Sequence, residues 1–278
     1  MKTVIGKLVR TDFTVQETIE DTTSNEKFYL HDHDSYEILL FLEGDAKFVI
    51  EGHDYLLESG DVIIVRKHEM HRVYHNSNAT YHRVVLMVEP DFFSNHNCMN
   101  YEMQFANAQM GIANIIKAKH VRSCGLYDAF MRLKKVSMDY SLTNEPVVDA
   151  IVIEILYYIN RSGVFSTPDV HDSQVEKVIS YINTHYTEEI NLDTLENIFF
   201  LSKHHLCRIF RKATGLTIHE YLSRKRINKV RELRKNGKSI SDAAMLAGFC
   251  DYSCFYRTYK KLMGCSPKDD VDRIYTDM

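Results

Sequence analysis

The sequence predicts an α+β protein of two domains: a β-barrel with a helical segment behind it, then a domain made of helices alone. Three observations carry that expectation. Short runs rich in Val, Ile, Leu, Phe and Tyr recur at roughly ten-residue spacing between about residues 28 and 90. Beyond Pro90 the apolar residues switch to helical spacing. Finally, the pattern at 206–215 returns without gaps at 255–264. With 278 residues the chain is long enough for two separate cores.

The strand candidates come first. YEILLFLEG, KFVIEGHDYLL, ESGDVIIV and YHRVVLMVEP are separated by Glu-Gly, Gly-His and Ser-Gly-Asp, residues that favour turns. Short strands so spaced suit a barrel or a sandwich. The stretch before them, about residues 1 to 27, shows no strong periodicity.

Helices follow. LYDAFMRLKKVSMDY has apolar residues at 126, 130, 133, 136 and 140, a helical repeat. PVVDAIVIEILYYI opens with Pro146 in a first-turn position. Its stripe of Val148, Ile151, Val152, Ile155 and Ile159 must be buried, either inside its own chain or against a second copy. The stripe is the candidate dimerisation surface, and an ordinary helix packed on the barrel is the alternative. Gly163, Ser166, Thr167, Pro168 and Asp169 then break the pattern. The expected division is residues 1–163 for sensing and dimerisation, 164–172 for a linker and 173–278 for the all-helical domain.

Charge divides with the domains. From Ser173 onward there are 18 basic and 13 acidic residues, against 16 and 25 before it. A basic half on an acidic one suggests that only the second meets a polyanion, although a solvated basic face would look the same.

The repeat sharpens this. Leu206 matches Phe255, Arg208 matches Arg257, Phe210 matches Tyr259, Arg211 and Lys212 match Lys260 and Lys261, and Gly215 matches Gly264. In the second copy ISDAAMLAGF supplies Ala244 for close helix packing, Gly248 for a turn, and Asp251 or Ser253 to cap the next helix. That is a helix-turn-helix. Phe255 and Tyr259 face its core, leaving Tyr252, Ser253, Tyr256, Arg257 and Lys260 outward. In the first copy Ser202 caps a helix whose Leu206, Ile209 and Phe210 go inward, leaving His204, Cys207, Arg208 and Arg211 outward.

GFCDYSCFYRTYKKLMGCSP resembles the signature of AraC/XylS-type transcriptional regulators, over roughly the last hundred residues. The resemblance implies a double helix-turn-helix joined by a long helix, here HEYLSRKRINKVRELRKNG, reading two successive major-groove segments. It makes His204, Cys207 and Arg208, then Tyr252, Ser253, Tyr256 and Arg257, the expected base readers. Lys203, Arg211, Lys260 and Lys261 suit phosphates. Two positions depart from the family: Glu196 stands where Ala is usual and Phe200 where the turn usually has Gly. The tail also lacks the usual aromatic-Arg ending, for which Arg273 and Tyr275 are stand-ins.

His31, His33, Ser35, Glu37, Leu39 and Phe41 share one parity, hence one face if the segment is a strand. At about 3.3 Å per residue the first two histidines lie roughly 6.6 Å apart along it. His71 comes eleven residues after Gly60. These spacings resemble both cupin motifs, with departures at Arg66, His68 and His75. H-E-M-H at 68–71 is one residue short of the zinc-protease pattern H-E-x-x-H. Two readings of His31, His33, Glu37 and His71 stand open: a divalent metal site, for which that donor set suits iron, manganese, nickel or zinc, or the polar lining of an effector pocket. The family resemblance implies an N-terminal cupin-like barrel that senses a small molecule, and polar pocket walls favour a hydroxylated or charged one, such as a sugar, an organic acid or a peptide. It also implies an N-terminal arm over about residues 1 to 27.

The remaining expectations are negative or general. No catalytic constellation accompanies the cluster, so an enzyme is not expected and no cofactor is required. Six cysteines form no C-x-x-C pair and read as free thiols of a reducing compartment. No apolar run is long enough for a transmembrane helix, and MKTVIGKLVRTDF lacks a secretory apolar stretch, so a cytoplasmic location is expected. Expected partners are double-stranded DNA, a small-molecule effector and a second copy of the chain, with RNA polymerase a further candidate.

Overall fold

The computed structural model describes residues 2–21, 30–106, 110–138, 145–162 and 174–268. The chain divides into two compact units, Met1–His171 and Asp172–Met278. The expected linker 164–172, Tyr140, Arg273 and Tyr275 lie outside the described residues.

The first unit is built on two sheets. One holds six strands in the order β1 (Lys2–Val9), β2 (Phe13–Asp21), β8 (Thr80–Val88), β3 (Tyr36–Glu43), β6 (Val62–Val65) and β9 (Ile115–Ile116). The other holds β5 (His53–Leu56), β4 (Ala46–Ile50) and β7 (His71–His75). Leu39, Phe41, Ile63, Val65 and Tyr81 from the first sheet and Phe48, Ile50, Tyr55 and Val73 from the second form one buried cluster.

Two of these strands replace the expected arm: residues 2–21 are strands β1 and β2, antiparallel to each other, and β2 pairs with β8 along its whole length. FTVQETIED hides its periodicity because both faces are covered. Phe13 and Val15 pack towards helices, while Thr18 and Glu20 are also buried. Strand alternation is legible only when one face is wet.

Helices α4 (Leu126–Met138) and α5 (Glu145–Ser162) cover the outer face of the larger sheet, after α1 (Pro90–Asn95), α2 (Met99–Ala106) and α3 (Ala118–Ser123). Ile38, Leu40, Val84, Leu86 and Val88 meet Phe130, Leu133, Val148, Val152, Ile155 and Ile159 in a single apolar core. This corrects the dimer surface. Val148, Ile151, Val152, Ile155 and Ile159 are all buried within their own chain, because the sheet's apolar face needs a cover and the stripe supplies it.

The second unit is helical: α6 (Gln174–His185), α7 (Leu192–Phe199), α8 (Lys203–Thr214), α9 (Ile218–Lys235), α10 (Ile240–Leu246) and α11 (Tyr252–Met263). Local chemistry fixes each boundary. Asn191, Ser202, Ser239 and Asp251 accept hydrogen bonds from backbone amides at the starts of α7, α8, α10 and α11. Thr217 and Glu220 cap α9 reciprocally. Gly215 and Gly264 end α8 and α11 at φ +77° and +75°. At Gly248, φ is +93° and an added Cβ would lie 2.6 Å from the Thr187 carbonyl oxygen, so the turn accepts only glycine.

Candidate functional site

The H-x-H stretch does not begin a strand. Strand β3 starts at Tyr36, and His31 forms an isolated antiparallel bridge with His71 through reciprocal backbone bonds of 3.1 and 2.9 Å. The His68 amide donates to the His33 carbonyl at 2.9 Å. The segment before β3 is therefore stitched to the entry of β7, and this stitching, rather than strand parity, brings the histidines together.

Ligand-capable atoms of His33, Glu37 and His71 all lie within 4.8 Å of one another. His33 Nε2 is 3.2 Å from Glu37 Oε2 and His71 Nε2 is 3.3 Å from the same oxygen. His71 is 1% exposed. His31 is exposed and outside the triad, although its ring centre is 4.2 Å from that of His71. Of the four expected residues, three converge and the fourth lies beside them. Burial alone pushes the Glu37 carboxyl up, but His33 and His71 outweigh it and hold the group well below the usual carboxylate range. Burial pushes the His71 imidazole down, and the Glu37 carboxylate outweighs that, leaving it above its ordinary value.

A buried network behind the cluster fixes His71, and the sequence does not announce it. The Glu69 carboxylate pairs with Arg66 at 2.9 Å and accepts from the Arg66 and Gly111 amides and from Asn114 Nδ2, at 2.7, 2.8 and 2.7 Å. Arg66 also donates to the Ile112 and Ala113 carbonyls. The Glu69 carbonyl oxygen, held by the same turn, accepts from His71 Nδ1 at 2.8 Å. Arg66, a departure from the sequence motif, is thus an internal strut. Further along the strands lie polar residues that sequence reading missed. Glu20 stands opposite Tyr81 in register. His75 and Arg83 approach the Tyr81 ring, at 4.7 Å between centroids and 4.8 Å over the face. Burial, reinforced by Arg83 and opposed by Glu20, pushes the His75 imidazole down. The clue was the Thr-Gln-Thr-Glu set at alternate positions of β2, polar residues on a face that the pairing turns inward.

In the second unit the residues expected to meet DNA lie on the surface of two helices. His204, Cys207, Arg208, Arg211, Tyr252, Ser253, Tyr256, Arg257, Lys260 and Lys261 are exposed on α8 and α11, while Leu206, Phe210, Phe255 and Tyr259 are buried. Lys203 Nζ is held by Asp193 at 2.5 Å, and Arg208 donates to His205 Nδ1 at 3.1 Å. Asp251, rather than Ser253, caps α11, through a 2.6 Å bond from the Cys254 amide. The two departures in the first helix pair have visible consequences. Glu196 accepts from the Lys203 amide at 3.3 Å, tying α7 to the start of α8. Phe200 takes the left-handed conformation at φ +54° with 91% of its surface exposed.

A sheet domain with a buried polar cluster and a double helix-turn-helix in one chain define a ligand-binding regulator of transcription. Comparison with known proteins gives the same result. An AraC-like ligand binding domain matches residues 13–96 and a helix-turn-helix domain matches residues 195–273. The HTH-type transcriptional activator RhaS of Enterobacter sp. (strain 638) is 26% identical over 256 residues, covering 90% of each chain. Its counterpart in Escherichia coli O81 (strain ED1a) is 25% identical over 253 residues, with 90% of each chain covered. Among solved structures, ToxT from Vibrio cholerae aligns over 93% of this chain and 97% of its own, at 15% identity and a TM-score of 0.40. The chain belongs to the AraC-type family of transcriptional regulators. Among the described residues no helix is long and apolar enough to cross a membrane.

Proposed function

We propose that the first unit senses a small molecule at His33, Glu37 and His71, with His31 at the rim, and that occupancy shifts the population of DNA-competent dimers. The observation that carries this reading is the convergence of two imidazoles and a carboxylate, His33 and Glu37 half-buried and His71 buried. Buried polar groups must be paired, so a polar effector fits, with hydroxyl or charged groups, such as a sugar or a small acid. Exposed side chains of α8 and α11 read bases, Arg208 and Arg257 suiting guanine, while Lys203, Arg211, Lys260 and Lys261 hold phosphates. The relatives named as activators support an activating role, and for such a role we infer RNA polymerase as a partner and the cytoplasm as the location. Regulation rather than catalysis is the reading that these relatives support.

The test is a thermal-shift screen of sugars and small acids on the full chain, followed by operator affinity with each hit. A hit that shifts melting and operator affinity in the native chain, but neither in Glu37→Gln, supports the seat. Hits that act equally on Glu37→Gln place the effector elsewhere.

A further inference from the structure

The proton inventory of the histidine cluster leads further than its polarity. His71 Nδ1 lies 2.8 Å from the Glu69 carbonyl oxygen and His33 Nδ1 lies 2.9 Å from the Ser35 carbonyl oxygen. A carbonyl oxygen only accepts, so each Nδ1 carries the hydrogen and donates. In the neutral tautomer this leaves both Nε2 atoms with lone pairs. Both point to Glu37 Oε2, at 3.2 and 3.3 Å. His71 Nε2 is buried, and its approach to the carboxylate is an ion-pair distance without hydrogen-bond geometry.

Three electron-rich atoms this close call for positive charge between them, with His71 buried and the Glu37 and His33 side chains only 12% and 20% exposed. Two protons can supply it, at the cost of burying two imidazoliums around one carboxylate. One divalent cation supplies the same charge on a single centre and uses all three lone pairs at once. The backbone carbonyls behind the imidazoles are the second-shell partners that orient metal-bound histidines. The Arg66–Glu69–Asn114 network holds one of those carbonyls in place.

We infer that His33 Nε2, His71 Nε2 and Glu37 Oε2 bind one divalent transition cation of the zinc, iron or cobalt class. Two imidazoles and one carboxylate suit those ions and disfavour calcium and magnesium, which take oxygen donors. Three protein ligands leave coordination positions open, for water or for oxygens of the effector. The inference rests on reading this cluster as the ligand seat of the first unit.

The experiment uses the full chain, purified without metal-affinity resin, stripped with chelator, dialysed, and titrated with Co2+ while visible absorption is recorded. One equivalent should saturate the ligand-field bands, and Zn2+ should displace them. His33→Ala and Glu37→Gln should each weaken binding by at least about tenfold. His33→Ala changes a partly exposed side chain, so it keeps the test open if His71→Ala fails to fold. No bands, or bands of equal strength in His33→Ala and Glu37→Gln, would overturn the site. The metabolite screen is repeated on stripped protein to separate the two readings. A response that survives stripping, in protein that takes up no Co2+, keeps the effector seat and removes the cation. Stoichiometric uptake abolished by the variants supports the cation whatever the screen returns.

Discussion

Ile155→Ala tests the reassigned helix. Ile155 is fully buried, between Val152 and Ile159 on α5 and within the core shared with Phe130 and Leu133. The substitution removes three buried carbons, which at about 0.8 kcal/mol each amounts to roughly 2.4 kcal/mol of lost transfer energy. A cavity in a packed core adds to this, giving a total of about 2–5 kcal/mol. For a unit of this size each kcal/mol lowers the midpoint by roughly 2–4 °C, so a fall of about 4–20 °C is expected. Calorimetry of the full chain should show this fall in the transition of the first unit. Light scattering at low micromolar concentration should show the same oligomeric state as the native chain. A first-unit transition that stays in place while the protein becomes monomeric would refute the packing and restore the dimer surface.

Other outcomes follow from the same coordinates. Arg257→Ala should cost about 1–3 kcal/mol on the specific operator and little on random DNA. Lys261→Ala should weaken both alike and lower the salt slope by about 0.9; filter binding at several salt concentrations separates the two. Phe200→Gly should stabilise the second unit by about 1 kcal/mol, since relief of a left-handed residue, about 1–2 kcal/mol, exceeds the entropic cost of glycine. A drop in the second unit's melting temperature would contradict that. Glu69→Ala leaves Arg66 buried without its carboxylate and should cost about 3–5 kcal/mol in urea unfolding of the first unit; a loss below about 1 kcal/mol would mean that Arg66 is solvated or paired elsewhere.

The second unit was legible from the chain because its chemistry is local. Asp251, Gly248, Ala244 and Gly264 each declare a cap, a turn, a close contact or a stop, and the spacing of Phe255 and Tyr259 declares the buried face. The first unit was legible where apolar residues crowd a strand, as over Ile38–Phe41 and Val62–Val65. Strand β2 escaped because polar residues sit on a covered face and leave no periodicity, with Thr18 and Glu20 buried once β2 pairs with β8. The histidines were identified by spacing, but the reason they meet is a pair of backbone bonds between His31 and His71 that no side-chain pattern encodes. Arg66 and Glu69 escaped as well, since an ion pair three residues apart looks like surface charge until its burial is known. For α5 the stripe was read correctly as buried, and only the packing of the sheet could say that its cover is the same chain.

Effector coupling is the central claim, and one measurement addresses it directly. Operator affinity of the full chain is determined with and without the ligand that shifts its melting, for the native chain and for Glu37→Gln. The account predicts a ligand-induced change of about 5- to 150-fold in the native chain, the usual range of allosteric coupling, and its loss in Glu37→Gln. A change of the same size in both proteins would contradict it and move the sensing site away from His33, Glu37 and His71.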